Sequence, residues 1–443
     1  MSGQSEISRA KLIAYAAPAL PVGMLALPFY VLVPSFYTET IGLDIALVGT
    51  ILFFVRVLDA VSDPLAGVFA DRIHPRMGRR RFLVAFGTPF IMLGAWMTFA
   101  PPDKASGFYL ALWASVLSLA TTIVQVPYAA WGAELSRSYE GRNRIVAWRE
   151  GFTVTGTLIA LCMPALLPAM GISDPAGILR GLALLIVILL PLAIVLCLRT
   201  PEPDNRSITR LPLRESFAAI MANRPFLRLV IAFLVNGFAN GLPATLFVFF
   251  VRERLQSPDA VGPLLVLYFI SGIAGVPFWF WLGRHYSKHR VWCYGMLLAM
   301  VAFAFAPFLG SGDVVAFAIV CVLTGLALGA DVVMPASLQA DVIDVDTARS
   351  GEERAGLYLA LWGLATKLSL AAAVGVAFPA LALFGFDPAQ KIITPRGLDA
   401  LAFLYAGLPV FIKAFAIVTM WRFPIDREAQ QRLRNEIEAR LSA

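Results

Sequence analysis

The sequence of 443 residues is short of charged side chains. Charged residues make up 15% of the chain and hydrophobic residues 59%, whereas soluble domains carry about 25% charged residues. A charge content this low is typical of a chain that lies mostly in lipid. The composition therefore excludes an ordinary soluble domain.

The few cysteines and histidines form no metal-binding or redox pattern. The cysteines all fall in apolar segments without a CxxC pair, and we interpret them as small core residues. They are Cys162, Cys197, Cys293 and Cys321. The three histidines lie outside the apolar segments and lack zinc spacing,. Because a phosphate loop of the G-x-x-x-x-G-K type is also missing, we predict a protein that is not an enzyme, uses no ATP and needs no cofactor.

Long apolar segments recur along the whole chain. Each has about 20 residues or more, enough to cross the core of a bilayer as a helix. We therefore predict an all-α polytopic membrane protein, whose first span is retained because no small-residue cleavage site follows it. The twelve predicted spans are 11–38, 45–71, 82–100, 107–132, 144–169, 179–198, 225–251, 260–283, 291–309, 314–341, 355–383 and 399–422.

The distribution of basic residues predicts the topology. A net charge of +7 would suggest nucleic acid as the partner of a soluble protein, but in membrane proteins basic residues gather on the cytoplasmic side. With both termini inside, 26 of the 36 Lys and Arg residues lie on the inner side and 6 on the outer side. We predict a multi-pass monomer with cytoplasmic termini, whose partners are the bilayer and a small-molecule substrate rather than nucleic acid.

The twelve spans divide into two groups of six. The stretch between the groups is rich in arginine and proline and is predicted to be a cytoplasmic linker. The predicted domains are an N-terminal six-helix bundle at 1–198, the linker at 199–224, a C-terminal six-helix bundle at 225–422 and a cytoplasmic tail at 423–443. The tail carries charges and one narrow apolar stripe, typical of a helix at the membrane surface.

Three charged residues stand inside the second span. Asp59 and Asp63 are four residues apart and Arg56 precedes Asp59 by three, so a helix places all three on one face. One charge at membrane depth costs at least about 2.5 kcal/mol. We infer that these residues serve a function, the alternative being a structural network in which Arg56 pairs with the two acids.

The loop after this span has a recognisable pattern. It reads Gly67-Val-Phe-Ala-Asp71-Arg72 and continues with Gly78 and a cluster of basic residues, Arg76, Arg79, Arg80 and Arg81. The pattern resembles the G-x-x-x-D-R-x-x-G-R-[KR] loop between helices 2 and 3 of the major facilitator superfamily, which implies two pseudo-symmetric six-helix bundles. We expect Gly67 to let two helices approach closely, Asp71 to cap or pair with a neighbouring helix, and Arg72 with the basic cluster to anchor the loop at the cytoplasmic face.

Within that superfamily the resemblance narrows. Asp59-Ala-Val-Ser-Asp63-Pro64 is similar to the D-A-x-x-D-P signature of the glycoside–pentoside–hexuronide:cation symporters. Further matches cover nearly the whole chain: Tyr37 to Gly42, Pro127-Tyr128, Glu134, Arg149, Ala340-Asp341-Val-Ile-Asp344, Arg354 and Lys367. The resemblance implies a secondary transporter in the bacterial inner membrane that works by alternating access. It also implies structural or gating roles for Arg56, Gly67, Asp71, Arg72, Glu134, Asp341, Asp344 and Arg354.

The resemblance also implies a coupling-cation site. Its members bind the cation with the two acids of the second span and a hydroxyl from the fourth, which are Asp59, Asp63 and Thr122 here. Na⁺ or Li⁺ prefers hard oxygen ligands, and H⁺ could replace either because two neighbouring carboxylates resist being charged together. Ser62 stands where the family often has asparagine, which removes an amide oxygen and leaves the choice of cation open.

The substrate positions depart from the family pattern. Sugar-binding members have acids on helices 1 and 4, where this chain has Gly23 and Gln125, yet the cationic positions Arg149 and Lys367 are kept. A cavity with these charges favours an anionic substrate such as a hexuronide or sulfo-sugar. The alternative for Arg149 is a pair with Glu150 or with the acids of the second span.

Several other polar and aromatic residues have open roles. Tyr128 and Trp362 are candidates to stack on a sugar ring, although aromatics near helix ends are often anchors or core residues. Asp331 lies in the middle of the tenth span and is expected to pair with Lys367 or Lys413 or to bind substrate. The sequence leaves these choices open.

Two other functions fit the same architecture. A eukaryotic branch of the family carries lysophospholipids and likewise lacks the sugar-receiving acids while keeping the basic pair, so a lysophospholipid-like substrate is one alternative. A proton-antiporting exporter is another, and a membrane sensor that transports nothing is a third. The direction of an imposed cation gradient that drives uptake separates them.

Overall fold

A computed structural model describes residues 8–73, 75–136, 139–167, 171–172, 174–202, 220–350, 355–388 and 393–424. The described residues contain helices and no strands. Twelve helices in this part of the chain are long and apolar enough to cross a membrane. The predicted all-α polytopic architecture with twelve spans is therefore confirmed.

The described residues form two compact units. One lies within Met1–Ile208 together with Asp387–Lys391, and the other within Thr209–Phe386 and Ile392–Ala443. Of the predicted linker, 199–202 and 220–224 are described, and of the predicted tail, 423–424. The remainder of the linker and tail lies outside the described residues.

Among the described residues, the first unit has six membrane-length helical segments. The first, α1, is interrupted by wide π-helical turns at Pro28–Leu32 and Phe36–Thr40. Proline lacks the N–H that an α-helix needs. Pro28 begins the first of these turns and Pro34 lies two residues before the second, while Pro18 belongs to a separate turn at 17–18. The segments are α1 (Arg9–Thr40), α2 (Ile45–Arg72), α3 (Arg79–Phe99), α4 (Gly107–Glu134), α5 (Tyr139–Leu166) and α6 (Pro175–Cys197).

In the part of the chain that the structure describes, the second unit also has six membrane-length helical segments. Its first helix, α7, ends in a π-helical turn at Phe250–Arg254, and its last, α12, is interrupted by another at Phe403–Gly407. The segments are α7 (Arg224–Arg254), α8 (Val261–His285), α9 (Lys288–Phe305), α10 (Val314–Ser350), α11 (Ala355–Leu383) and α12 (Pro395–Trp421).

Short polar side chains begin several of these helices. Asp44 accepts a hydrogen bond from the Leu47 backbone N–H at 2.8 Å and so caps α2. The same arrangement starts α4 at Ser106, α6 at Asp174 and α7 at Asn223. Each cap satisfies an N–H that has no partner inside the helix, which places the helix start at that residue.

Helix α4 lies at the centre of the described contacts in the first unit, because it packs on both α2 and α3. In the second unit α7, α9, α10 and α12 pack on one another around a core of large side chains. That core includes Phe226, Trp292, Met334, Tyr358 and Met420, all nearly or fully buried. These two packing arrangements position the polar residues described next.

Candidate functional site

The two acids of the second span lie on one face of α2, as the spacing predicts. Asp59 and Asp63 are each half-buried, and the face that carries them packs against α4. The Thr122 hydroxyl of α4 lies 3.1 Å from Oδ1 of Asp59 and 3.1 Å from Oδ1 of Asp63. The structure therefore brings together the three residues assigned to the cation.

Two more hydroxyls surround this group. Ser118, one turn before Thr122 on α4, donates to Asp59 Oδ1 at 3.1 Å. The buried Ser62 hydroxyl lies 3.4 Å from Thr122 Oγ1 and 3.1 Å from the Asp59 carbonyl oxygen. Sequence reasoning missed Ser118, although its i, i+4 spacing to Thr122 puts both on one helical face and could have identified it.

The group has more acceptor oxygens than protons to share. A threonine hydroxyl carries one proton, so Thr122 can donate to Asp59 or to Asp63 but not to both at once. The site offers two carboxylates and up to three hydroxyls, a set of hard oxygen ligands suited to Na⁺ or Li⁺. The described residues contain no group of three or more His, Cys, Asp and Glu side chains that could hold a metal ion.

A proline lies directly after Asp63 in α2. This residue, Pro64, has no N–H to donate to the carbonyl of Ala60, four residues earlier. At membrane depth a carbonyl released in this way needs another partner. The signature Asp-x-x-x-Asp-Pro therefore places a missing backbone N–H directly after the second acid,.

Arg56 faces aromatic rings. Its guanidinium carbon lies 3.2 Å from the ring centroid of Tyr30 and 4.7 Å from that of Phe29, both on α1. The side chain is only 7% exposed, and the electron-rich faces of the two rings stabilise its charge. Arg56 thus ties α2 to the π-helical turn of α1.

Gly23 belongs to a close contact between helices. A Cβ added there would lie 2.4 Å from the Thr153 carbonyl oxygen of α5, and one added at Gly156 would lie 1.9 Å from the Leu20 carbonyl oxygen. The Thr157 hydroxyl also donates to the Gly23 carbonyl at 3.2 Å. The backbone of α5 fills the place of an acidic side chain, so Gly23 has a packing role, and its contribution to substrate binding stays a prediction.

Gln125 continues the polar face of α4. It stands three residues after Thr122 and seven after Ser118, a spacing that puts all three on one side of the helix. Its side chain is exposed. The structure therefore places this candidate about one turn beyond the hydroxyls that face the two acids.

Arg149 bonds to its neighbour in the chain. Its Nε and Nη2 atoms lie 3.2 and 2.8 Å from Glu150 Oε1. The Arg149 side chain is 24% exposed and that of Glu150 is 55% exposed. Of the alternatives left open by the sequence, the pair with Glu150 is the one found.

Tyr128 is occupied by packing. Its ring stacks on that of Tyr15 with centroids 4.7 Å apart. Each hydroxyl donates to the carbonyl of the other residue, at 2.8 Å from Tyr15 and 2.6 Å from Tyr128. Because one face and the hydroxyl of Tyr128 are engaged, the residue fastens α1 to α4 and does not offer the ring predicted for a sugar.

The candidates of the second unit lie on α11. Lys367 is half-buried. Trp362 stacks on Phe233 of α7 with ring centroids 3.9 Å apart and packs against the core of the unit. One face of Trp362 therefore has a packing role, and stacking of this residue on a substrate stays a prediction.

The loop after α2 differs from expectation at its glycine. A Cβ at Gly67 would meet Val126 Cγ1 at 3.8 Å, an ordinary contact, so the predicted close approach at this residue is wrong. Arg72 is exposed in the last turn of α2, where a positive charge interacts favourably with the helix dipole. The backbone of Asp71 belongs to the same turn, and its side chain lies outside what the structure describes.

Glu134 connects the ends of two helices. Its Oε1 lies 3.1 Å from Arg80 Nη2 and 3.3 Å from Arg79 Nη2, so the end of α4 is paired with the start of α3. Glu202 accepts hydrogen bonds from the backbone N–H groups of Arg80 and Arg81 at 3.0 and 3.2 Å. A carboxylate at this position satisfies N–H groups of the first turn and complements the helix dipole.

The second unit has the equivalent pair. Lys288 Nζ, at the start of α9, lies 2.6 and 2.8 Å from the two carboxylate oxygens of Asp341 on α10. The ninth and tenth spans are thus paired as the third and fourth are. The backbone of Asp344 is in α10 but its side chain is not described, and Arg354 lies outside the described residues.

Asp331 has a definite set of partners. Its carboxylate accepts hydrogen bonds from Trp292 Nε1 at 2.6 Å and from the Nδ2 atoms of Asn236 and Asn240 at 2.9 Å each. Lys413 Nζ lies 3.8 Å away. Of the partners considered for Asp331, the structure therefore selects Lys413.

Sequence comparisons agree along most of the chain. The family model described as "MFS/sugar transport protein" matches residues 14–427. The chain is 26% identical to "Uncharacterized symporter YnaJ" of Bacillus subtilis (98% of this chain and 96% of that protein) and 24% identical to "Glucuronide carrier protein homolog" of Escherichia coli (92% and 90%). It is 22% identical to "Sodium-dependent lysophosphatidylcholine symporter 1" of Gallus gallus (90% and 84%).

A solved structure shows the same fold. The crystal structure of a bacterial homologue of the human lysosomal transporter Spinster, in an inward-facing and unoccupied conformation, aligns with a TM-score of 0.69 and 14% identity. The alignment covers 98% of this chain and 99% of that one. At this identity the likeness concerns the fold.

Proposed function

Because the chain belongs to the family of MFS/sugar transport proteins, we propose that it is a symporter in which Asp59 and Asp63 bind the coupling cation. The family confirms the predicted resemblance: the protein is a multi-pass membrane transporter of small molecules and not an enzyme. Na⁺, Li⁺ and H⁺ are the cations proposed, the termini are proposed to be cytoplasmic, and transport is proposed to proceed by alternating access.

The observation that carries the proposal is the position of the Thr122 hydroxyl. It lies 3.1 Å from an oxygen of each acid, so that oxygens of two helices converge on one place. A cation bound there would offset the repulsion between the two carboxylates. Cation and substrate should then raise each other's affinity by the same factor, because coupling free energy is reciprocal.

For the substrate we propose an anionic sugar of the hexuronide type or a sulfo-sugar. The similarity to the glucuronide carrier homologue supports it, as do the two cationic residues Arg149 and Lys367. Arg149 has five N–H donors, and two of its nitrogens bond to Glu150. An anion that displaces the more exposed Glu150 would gain charge-assisted hydrogen bonds to a guanidinium already held in place.

A second candidate is a lysophospholipid-like substrate. It is favoured by the similarity to the lysophosphatidylcholine symporter and by the contact at Gly23, which leaves no room for a sugar-receiving acid on α1. An amphipathic zwitterion would need one cationic residue for its phosphate and an apolar surface for its chain. The two candidates predict different results with a charged and a neutral sugar. Only a site for anionic sugars should bind a glucuronide more tightly than the uncharged glucoside.

The test is uptake into proteoliposomes that contain the purified chain. Radiolabelled methyl glucuronide, methyl glucoside and lysophosphatidylcholine are offered under inward gradients of Na⁺, Li⁺ or H⁺, with protein-free liposomes as the control. Symport of an anionic sugar predicts accumulation of the glucuronide, stimulated by at least one inward gradient. Accumulation of the lipid alone would favour the second candidate.

Two outcomes would overturn the proposal. Substrate uptake stimulated only by an outward-directed proton gradient would indicate the antiporter. Equal accumulation by the Asp59→Asn variant and the unmodified chain would show that the two acids do not bind the coupling cation. In the second case the protein would remain a transporter with a different ion site.

A further inference from the structure

A cluster of polar side chains lies inside the second unit, among four helices. Asn236 and Asn240 stand one turn apart on α7, Trp292 is on α9, Asp331 on α10 and Lys413 on α12. Lys413 is fully buried and Asn236 is 2% exposed. None of these five residues belongs to the site proposed for the coupling cation.

The ammonium group of Lys413 is surrounded by oxygen atoms. Its Nζ lies 2.7 Å from Asn236 Oδ1, 2.7 Å from Asn240 Oδ1 and 3.8 Å from Asp331 Oδ2. Two of its three protons therefore go to neutral amide oxygens, and the carboxylate balances the charge from slightly further away. The ligands are two amide oxygens and one carboxylate, the hard donors that small cations prefer.

The asparagines hold these oxygens in place. Each amide donates its Nδ2 group to Asp331 at 2.9 Å, which turns its carbonyl oxygen towards Lys413. Trp292 Nε1 fixes the same carboxylate at 2.6 Å. The orientation of the amides thus depends on Asp331 and Trp292 as well as on the lysine.

A charge buried this deeply must be balanced. An unpaired lysine in the interior of a membrane bundle is strongly unfavourable, and Asp331 supplies the opposite charge. A direct ion pair would satisfy that need without the asparagines. Here the amides stand between the charges and contact the ammonium more closely than the carboxylate does, as ligands of a free cation would.

We propose that Asn236, Asn240 and Asp331 form a monovalent-cation site in the second unit, and that the Lys413 ammonium is its built-in occupant. The lysine supplies the charge that a free ion would otherwise bring, so the second unit requires no ion from solution. Removal of the lysine side chain should turn the site into one that binds a free cation of ammonium size.

The experiment measures thermal unfolding of the purified full chain in detergent, in choline chloride and in ammonium chloride of equal ionic strength. All variants carry Asp59→Asn, which removes one of the two carboxylates proposed to bind a cation in the first unit, and the parent shows any response that remains there. With Lys413→Ala added, we expect a lower melting temperature in choline and a rise of about 3 °C in about 100 mM ammonium. The rise should saturate with ammonium concentration.

Three controls share the Asp59→Asn background. The parent with Lys413 should not respond, because its site is filled. Lys413→Met should not respond either, because its side chain fills the space without a charge. Lys413→Ala combined with Asp331→Asn should lose the response, because the carboxylate is gone.

The outcomes decide the proposal in either direction. Folded Lys413→Ala protein recovered only when ammonium is present would support it. No difference between ammonium and choline would overturn it, as would an equal response of the parent or of the Asp331→Asn combination. Failure to recover folded protein in both salts would also overturn it, because a site able to accept a free cation would be stabilised by one.

Discussion

Thr122 Oγ1 of α4 lies 3.1 Å from Asp59 Oδ1 of α2, and this contact fastens the signature of the second span to the fourth. It is a hydrogen bond to a charged group, which contributes more than one between neutral groups. The same hydroxyl lies equally close to Asp63. Removal of the Thr122 hydroxyl should therefore weaken cation binding more than it destabilises the fold.

Thr122→Val should weaken binding of the coupling cation. The variant keeps the shape of the side chain and removes the hydroxyl, so we expect about tenfold lower apparent cation affinity, equal to about 1.4 kcal/mol. The measurement is the cation concentration that half-stimulates uptake in proteoliposomes. Thr122→Ser keeps the hydroxyl and is the matched control; an equal loss in both variants would assign the effect to packing.

Asp59→Asn and Asp63→Asn should each abolish cation-driven accumulation, because each variant removes a negative charge from the proposed site. Asp44→Asn is the control: it removes a carboxylate from the same helix, and asparagine caps helices as well as aspartate does. Asp44 accepts the Leu47 N–H at 2.8 Å. The measurement is uptake under an imposed gradient, and unimpaired accumulation by either site variant would contradict the assignment.

Arg80→Gln should destabilise the protein far more than Arg79→Gln. Both arginines contact Glu134, but the Arg80 side chain is 5% exposed and that of Arg79 is 23% exposed. Breaking a buried pair costs about 3–5 kcal/mol, and a pair whose arginine is more accessible to solvent is expected to contribute less because water screens it. Thermal unfolding in detergent compares the two, and similar melting temperatures would show that burial of Arg80 has no such consequence.

Gly23→Asp should not create a receptor for neutral sugars. The new Cβ would lie 2.4 Å from the Thr153 carbonyl oxygen, so α1 and α5 would have to separate and the yield of folded protein should fall. Gly151→Ala on α5 is the control, because a Cβ there has no neighbour within 4 Å. Fluorescence-detected size exclusion measures the yield; a well-folded Gly23→Asp variant that binds a neutral glycoside would contradict the packing role of Gly23.

Arg149→Gln and Glu150→Gln should have opposite effects on an anionic substrate. Loss of the guanidinium should lower glucuronide affinity about tenfold or more, while loss of the partly exposed partner should raise it by a few-fold at most. Uptake of a neutral glycoside serves as the reference. Equal losses for charged and neutral substrates in Arg149→Gln would point to a structural role for the 2.8 Å pair.

Much of the fold could be predicted because its causes are local. An apolar segment of bilayer length becomes a helix wherever it occurs, since its backbone must bond within itself in lipid. The helix starts at Asp44 and Ser106 likewise depend on one side chain and the next three residues. Such features require no knowledge of which helices pack together.

The cation candidates were also accessible to sequence reasoning. Asp59 and Asp63 share a face by spacing alone, and the resemblance pointed to Thr122. Ser118 shows the limit of that approach, because nothing but its spacing to Thr122 marked it. The contact with Asp59 at 3.1 Å depends on how α4 is rotated against α2.

The substrate candidates were less predictable, because their roles depend on neighbours that are distant in the chain. Gly23 meets the backbone of α5, Tyr128 stacks on Tyr15, and Trp362 stacks on Phe233. Each contact joins residues more than a hundred positions apart. A pattern of residue types contains no information about such partners.

The sequence by itself determined the class of the protein, its twelve spans, its family signature and the acids assigned to the cation. Tertiary structure alone decided that Asp331 and Lys413 share two asparagines and that the backbone of α5 packs against Gly23. The physical reason is the distance along the chain over which each effect acts. Hydrophobicity and helix periodicity act within one segment, whereas the partner of a buried charge is selected by the packing of helices that the chain brings together only when folded.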